Sequence, residues 1–143
     1  MRRTRFDEWP CPIARTTDLI GDWWTPLVLR EAFFGSRRFD EFQQALGIGR
    51  NVLAARLRRL VAEGLLERRL YQERPRRYEY VLSESGRDFL GVLAALMRWG
   101  DRWLGGGATT ATLVHAPCGT ELHQAFWCPT CRCTFGPAAI RSA

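Results

Sequence analysis

The sequence predicts a mainly α fold of the α+β class, in which helices pack around a two-stranded sheet. Residues 38–82 carry this prediction, because their pattern is that of a short helix, a tight turn at Gly47-Ile48-Gly49, a longer helix and two strands. The two strands enclose an arginine-rich tip. This order of elements is that of a winged helix-turn-helix, which holds one helix and a hairpin wing against DNA.

The longer helix, predicted from Arg50 to Glu63, has one apolar side. Its apolar residues recur at i, i+4, i+7 and i+8, and they are Leu53, Leu57, Leu60 and Val61. At about 100° per residue this spacing forms a single stripe that faces a core. The opposite side carries Asn51, Ala55, Arg58 and Arg59. Small residues among cations suit a helix that enters a major groove, although a solvated arginine face on an ordinary helix is the alternative.

Two strands are predicted after this helix, from Leu65 to Tyr71 and from Tyr78 to Leu82. Gly64 ends the helix before them, and Pro75 fixes a turn between them. Nine arginines and three glutamates lie between positions 50 and 77, which gives a net charge of +6, equal to that of the whole protein. The positive charge is therefore concentrated on the helix and the wing.

We predict that these residues contact double-stranded DNA in two ways. Residues on the exposed side of the helix reach base edges, namely Asn51, Ala55 and Arg58. The remaining cations contact phosphate or the minor groove, namely Arg50, Arg59, Arg74, Arg76 and Arg77.

Short motifs distributed over residues 11–104 connect the sequence to a family. Among them are Cys11-Pro12-Ile13, Ile20-Gly21-Asp22-Trp23-Trp24-Thr25, Arg38-Phe39-Asp40-Glu41-Phe42, Leu53-x-x-Arg56-Leu57-x-x-Leu60, Glu63-Gly64-Leu65-Leu66 and Glu79-Tyr80-x-Leu82. In this combination and order the sequence resembles the HxlR-type transcriptional regulators, winged-helix proteins related in architecture to the MarR regulators. The resemblance implies a homodimer on an inverted-repeat operator, and we predict that it is a repressor.

Two positions depart from the family pattern. Gly49 stands where relatives usually carry a serine that caps the recognition helix, so this helix should begin without a side-chain cap. Pro26 stands where relatives usually carry an aliphatic residue. Because proline is tolerated only in the first turn of a helix, its helix should begin near Asp22 to Thr25.

Two helices are predicted before this region, at residues 11–20 and 23–34. A buried stripe is expected on the second helix, at Leu27, Val28, Ala32 and Phe33. Trp23 and Trp24 either join the core or line a pocket for a small apolar effector.

Cys11 lies at the start of the first helix. Several regulators that this protein resembles sense oxidants or electrophiles through a cysteine at this place. A helix N-terminus favours the reactive thiolate, which makes Cys11 a candidate redox sensor. The alternative is a small buried residue, the commonest fate of a free cysteine.

A strong helix is predicted from Arg87 to Trp103. Its apolar residues offer more surface than one side of a small domain absorbs, and they are Phe89, Leu90, Leu93, Leu96, Met97, Gly100 and Trp103. We infer that two such helices pack with the N-terminal ones in a dimer. The alternative is that the helix covers only the core of its own chain.

The last residues differ in kind from the winged helix. A small-residue linker at 105–112 is predicted to separate a domain at 1–104 from a cysteine-rich tail at 113–143. The tail carries five candidate zinc ligands, His115, Cys118, Cys128, Cys131 and Cys133. Cys128-Pro-Thr-Cys131 has the spacing of a zinc knuckle, and His115 with Cys118 forms a second knuckle, so we favour His115 over Cys133 as the fourth ligand. The alternatives are a thiol-disulfide oxidoreductase that uses the Cys-Pro-Thr-Cys motif, and an unligated or disulfide-linked tail.

Composition and segment lengths argue against a secreted protein, a membrane protein and an enzyme. The basic start has no apolar run behind it, and the longest apolar stretch, Phe89 to Met97, is about half of a bilayer span. We therefore expect a cytoplasmic protein, in which five cysteines are more typical of metal sites or reactive thiols than of disulfides. No catalytic constellation is present in the sequence, so we expect no enzyme.

Overall fold

The computed structural model describes residues 5–105 and 112–141. The helices in these ranges are α1 (Pro12–Ile20), α2 (Thr25–Phe33), α3 (Phe39–Leu46), α4 (Arg50–Ala62), α5 (Glu84–Asp88) and α6 (Leu90–Trp103). The strands are β1 (Leu66–Glu73), β2 (Arg76–Leu82), β3 (Phe126–Cys128) and β4 (Cys133–Phe135), and a 3-10 turn covers Pro137–Ala139. The chain divides into two compact units, residues 1–90 and 91–143. In the described part, none of the helices is long and apolar enough to cross a membrane.

The first unit has the helix-turn-helix and wing that the sequence predicts. Gly47 follows α3 with a φ of 62°, a left-handed conformation that glycine adopts without steric cost, and its N–H closes the helix on the carbonyl of Gln43. Gly49 then precedes α4 in extended conformation and provides no side-chain cap, as expected. Helix α2 begins at Thr25 with Pro26 in its first turn, which confirms the start expected from the proline.

The core of the first unit lies between α2, α3, α4 and the base of the sheet. Its buried apolar residues are Val28, Leu29, Phe42, Ile48, Leu53, Leu57, Leu60, Leu65, Leu66 and Phe89. On α2, Leu29 is fully buried whereas Leu27 is only half-buried, so the predicted stripe is rotated toward Thr25, Val28 and Leu29. Trp23 is 89% exposed and does not join the core.

The wing is a longer hairpin than the sequence suggested. Strands β1 and β2 pair antiparallel from Leu66 opposite Leu82 to Glu73 opposite Arg76, with an irregularity between Leu70 and Gln72. Arg76 and Arg77 therefore lie inside β2 rather than in a six-residue tip, because the strands continue almost to Pro75. The backbone of residues 37 and 38 borders β2, since the N–H of Tyr80 donates to the carbonyl of Arg37 at 2.7 Å.

The helix predicted from Arg87 to Trp103 is two helices in the structure. The Ser83 hydroxyl caps α5 by accepting from the N–H of Gly86, so helical structure begins earlier than expected. Phe89 then turns into the core, and α6 starts at Leu90. No residue of α6 is buried.

The tail in the second unit contains a short hairpin. Phe126 pairs with Phe135 and Cys128 pairs with Cys133 across β3 and β4. Val114 and Glu121 form an isolated antiparallel bridge before it. Apart from its first and last residues, the predicted linker at 105–112 lies outside the described residues, so that linker and the domain limits around it stay predictions.

Candidate nucleic-acid interface

The solvent-facing side of α4 borders a cleft on the sheet. Asn51 and Arg58 are exposed, whereas Ala55, also predicted to reach bases, is half-buried. The cleft has a volume of about 630 Å³. Its lining residues come from α4 and from the two wing strands, and they are Asn51, Ala54, Arg58, Val61, Arg68 and Tyr80. Two of the three predicted base-reading residues thus share one open surface with the wing.

The structure separates Arg59 from the other predicted DNA contacts. Its guanidinium donates to the backbone carbonyl of Asp18 at 2.7 Å and lies 3.3 Å from the carboxylate of that residue. The Arg59 side chain is 22% exposed and the Asp18 side chain 8%. Because one nitrogen of this guanidinium is engaged with α1, the structure places Arg59 in the contact between α4 and α1, which argues against the predicted phosphate contact.

A second cleft, also of about 630 Å³, brings three other predicted residues together. It lies between the start of α3, the start of α4 and the wing, and Arg50, Arg76 and Arg77 line it. Arg38 lines it as well, although the sequence pattern predicted no DNA contact for this residue. The Arg38 guanidinium lies 4.7 Å from the ring centroid of Tyr71, a cation–π contact that fixes the arginine at the surface.

Arg50 is held at the start of α4 by three groups of α3. Its guanidinium lies 4.8 Å from the ring centroid of Phe39, donates to the side-chain oxygen of Gln43 at 3.0 Å, and lies 3.4 Å from the carboxylate of Asp40. The Arg50 side chain nevertheless stays 67% exposed. It therefore lies at the surface in a defined position, as a phosphate contact requires. Arg74 is exposed at the end of the wing.

The first turn of α3 is fixed by a carboxylate. Glu41 accepts hydrogen bonds from the backbone N–H groups of Arg37 and Arg38 at 2.8 and 2.9 Å. These two bonds hold the pKa of Glu41 below its ordinary value. The Glu41 side chain thus satisfies donors that the start of a helix leaves free, and it positions Arg38 at the edge of the second cleft.

Asp22 links the recognition helix to the preceding helices. Its carboxylate accepts hydrogen bonds from the backbone N–H groups of Trp24 and Thr25 at 2.9 and 3.0 Å and from the Thr25 hydroxyl. These bonds fix the backbone at the start of α2. It also lies 3.0 Å from Nε of Arg56 on α4. That N–H has no hydrogen-bond partner in the described residues, so the Arg56 contact is an ion pair rather than a directed hydrogen bond. Burial alone raises the pKa of Asp22, but the hydrogen bonds from Thr25 and Trp24 and the Arg56 charge outweigh burial and lower it.

Cys11 precedes α1 directly. It is the N-cap residue, its thiol is free, and it is half-buried. Its carbonyl accepts from the N–H of Arg15 at 3.1 Å. The structure thus places the candidate sensor at the start of the helix that Asp18 and Arg59 tie to α4.

The candidate zinc ligands form two similar turns in the tail. In the first, Nδ1 of His115 lies 3.2 Å from the sulfur of Cys118, and the N–H of Gly119 donates to the carbonyl of His115 at 2.7 Å. In the second, the N–H of Cys131 lies 3.4 Å from the sulfur of Cys128, and the N–H of Arg132 donates to the carbonyl of Cys128 at 2.8 Å. Each turn brings two ligand-type residues together within one short loop.

The structure does not bring the two turns around one point. Within residues 5–105 and 112–141, no three His, Cys, Asp or Glu residues lie close enough to share a metal ion. Cys133 lies across the hairpin from Cys128. A hydrogen bond with the Thr120 hydroxyl lowers the pKa of Cys118, and backbone N–H groups of Cys131 and Thr130 lower that of Cys128.

A helix-turn-helix with an exposed recognition helix and a basic wing defines a DNA-binding protein of the winged helix-turn-helix class. The chain belongs to the HxlR-like helix-turn-helix family, whose model matches residues 19–107. It is 42% identical over 120 residues to Rv3095, an uncharacterized HTH-type transcriptional regulator of Mycobacterium tuberculosis, a match that covers 83% of this chain and 76% of the relative.

Solved structures also align with this chain over most of their own length. The crystal structure of PA1607 aligns with 98% of this chain and 99% of its own, at a TM-score of 0.85 and 32% identity. The reduced form of the redox regulator HypR aligns with 64% of this chain and 92% of its own, at a TM-score of 0.61 and 31% identity. Diamide-treated YodB of Bacillus subtilis aligns with 67% of this chain and 97% of its own, at a TM-score of 0.55 and 28% identity.

The family and its relatives are transcriptional regulators, so the predicted function as a transcriptional regulator rather than an enzyme is confirmed. The comparisons give no support to the thiol-disulfide oxidoreductase alternative.

Proposed function

We propose that this protein is a homodimeric repressor that binds an inverted-repeat operator in the cytoplasm, with base recognition by α4 and backbone contacts by the wing. The observation that carries the proposal is that α4 shares one cleft with β1, where Asn51 and Arg58 face Arg68, and a second cleft with β2, where Arg50 joins Arg76 and Arg77. An arginine over a base edge discriminates among sequences, whereas an arginine on phosphate does not.

DNA titrations separate the two kinds of contact. Arg58→Ala is expected to weaken operator binding by about 1–3 kcal/mol and to change binding to random DNA little. Arg77→Ala is expected to weaken both and to reduce the slope of log affinity against log salt by about one. The operator is first located by footprinting the DNA that flanks the gene for this protein. Wild-type protein that binds no duplex at low salt would refute DNA recognition.

The dimer in this proposal uses the exposed side of α6. Val92, Leu96, Trp99 and Trp103 are all exposed, and they are spaced by four, three and four residues. This spacing forms one apolar seam along a helix, as in helices that pair side by side. The occupant is a second copy of this chain, because an inverted repeat requires two recognition helices related by two-fold symmetry.

Sedimentation tests the seam. Leu96→Glu places a charge in the seam and should yield monomers. Arg98→Glu is the control: Arg98 is exposed outside the seam, and although this change alters the net charge more than Leu96→Glu does, it should leave the dimer intact. A wild type that sediments as a monomer at micromolar concentration, or a Leu96→Glu variant that stays dimeric, contradicts the assignment.

We propose that oxidants or electrophiles release operator through Cys11. Its place supports this, because Cys11 is a free and partly exposed thiol at the N-cap of α1, where the family resemblance puts the sensing cysteine. The relatives support it too, because HypR is named a redox regulator and YodB has been crystallised after diamide treatment. Diamide should release the wild type from operator and leave Cys11→Ser bound. Cys133→Ser, the same change at the tail cysteine that we favour less than His115 as a zinc ligand, is the control and should respond like wild type.

We further propose that the tail binds one zinc ion through Cys118, Cys128, Cys131 and either His115 or Cys133. The donor types suit zinc, and each of two short turns already presents a pair of them. None of the described residues 112–141 is buried, so this segment has no core of its own and a metal would supply its folding energy.

Metal analysis tests the zinc site. Protein purified without chelator should contain about one zinc per chain, and chelation should increase hydrogen exchange in residues 113–135 only. Cys128→Ser should lose zinc while Cys11→Ser retains it. His115→Ala compared with Cys133→Ser identifies the fourth ligand. Full zinc content in Cys128→Ser, or none in the wild type, would refute the site.

A further inference from the structure

Arg68 was not among the residues that the sequence assigned to DNA, yet the structure places it opposite the recognition helix. Arg68 and Arg69 are consecutive in β1, so their side chains leave opposite faces of the sheet. Arg68 pairs with Tyr80 across the hairpin, and these two residues form the sheet side of the cleft whose other side contains Asn51 and Arg58.

A tyrosine fixes the direction of the Arg68 side chain. The guanidinium carbon of Arg68 lies 3.6 Å from the ring centroid of Tyr78, the shortest of the cation–π contacts in the described residues. Such a contact leaves the edge N–H groups of the guanidinium available, because only its face meets the ring. Arg68 therefore presents ordered donors along the cleft.

The cleft has the charge of an anion site. Its lining contains two arginines, one asparagine and one tyrosine, and no carboxylate. Among the described residues, neither Arg58 nor Arg68 forms an ion pair with a carboxylate. Arg69 differs, because its guanidinium is bound to Glu67 at 2.6 Å on the other face. The positive charge of Arg68 is thus unneutralised where that of Arg69 is paired.

We propose that Arg68 binds a phosphodiester of the DNA strand whose bases α4 reads, and that Tyr78 positions it for this contact. This inference rests on the proposed function, since it assumes that α4 occupies a major groove. The two strands that border a major groove each present phosphates along one side of the inserted helix, and the cleft beside α4 is open to one of these backbones. The recognition helix and the base of the wing then hold one strand between them.

Three variants test the contact, in titrations of labelled operator and random duplexes at several salt concentrations. Arg68→Gln should weaken binding to both duplexes and lower the salt slope by about 0.9. Between 50 and 200 mM salt, the fold-loss of affinity of the wild type should therefore be about 3.5 times that of the variant. Arg69→Gln is the matched control, one residue away with the same change of charge, and should leave affinity and slope as in wild type. Tyr78→Leu keeps the charge of Arg68, so it should weaken both duplexes several-fold with the wild-type slope.

The outcomes are distinct. An Arg68→Gln variant with wild-type affinity and slope overturns the inference, and so does one that loses affinity for operator alone, since that pattern belongs to a base contact. Equal effects of Arg68→Gln and Arg69→Gln overturn it as well, because they indicate only the general charge of the wing. If the wild type binds no duplex, the proposed function fails first. Circular dichroism and urea midpoints check that each variant is folded.

Discussion

Two adjacent arginines on α4 should affect different properties when each is replaced by alanine: Arg59 the stability of the fold and Arg58 the affinity for DNA. Arg58 is exposed on the cleft, whereas Arg59 is bound to the backbone and carboxylate of Asp18. Arg59→Ala removes a hydrogen bond from a charged donor at 2.7 Å, a loss of about 1.5–3 kcal/mol of unfolding free energy. Arg58→Ala removes an exposed side chain and should change that free energy by less than about 0.5 kcal/mol.

Urea unfolding and DNA titration of the same two proteins measure both effects. With an m-value of about 2 kcal/mol/M, the midpoint of Arg59→Ala should fall by about 1 M, and that of Arg58→Ala should stay near wild type. Under conditions where both are folded, Arg58→Ala should lose operator affinity by about 1–3 kcal/mol, and Arg59→Ala should stay within about 0.7 kcal/mol of wild type. If Arg59→Ala instead unfolds like wild type and loses operator affinity as Arg58→Ala does, the structural assignment of Arg59 is refuted.

Two further predictions concern the folding of the first unit. At Gly86 an added Cβ would lie 2.0 Å from the Leu65 carbonyl oxygen, so Gly86→Ala must move backbone and should lower the urea midpoint by an amount that corresponds to about 1–3 kcal/mol, whereas Gly91→Ala, with open space at its Cβ, should not. The lowered pKa of Asp22 means that its charged form stabilises the fold above the unfolded pKa, near 3.8, and that this stability is lost as pH falls through the still lower folded pKa. The stability difference between wild type and Asp22→Asn should therefore be full near pH 6 and shrink below pH 4, and a difference independent of pH would contradict this account.

The sequence was sufficient to predict the winged helix because each of its elements has a local cause. The spacing of Leu53, Leu57 and Leu60 fixes the buried side of α4, and glycines at 47 and 49 fix the turn before it. A hairpin between two basic strands follows from Pro75 and the alternation around it. These signals act over a few residues, so they can be read without the rest of the chain.

The sequence was insufficient where contacts distant in sequence decide the outcome. Arg58 and Arg59 are chemically identical. Only the position of Asp18, 41 residues from Arg59, shows which of the two side chains is hydrogen-bonded within the protein. Arg68 and Arg69 are likewise distinguished only by the strand register, which directs one toward α4 and the other toward Glu67. The zinc ligands stay a prediction, because spacing identifies the two pairs but not whether they meet.

Asp22 contacts three residues at two helices with one carboxylate, which limits how the sequence can diversify at this position. Its oxygens accept hydrogen bonds from Trp24 and Thr25 at the start of α2 and form an ion pair with Arg56 of α4. A change at position 22 therefore alters a helix start and an ion pair at once, and a change at position 56 leaves a half-buried carboxylate without its cation. Single substitutions at either position should be harmful where a joint replacement is tolerated. We expect these two positions to be epistatic, so that among descendants of this chain they change together or stay as they are.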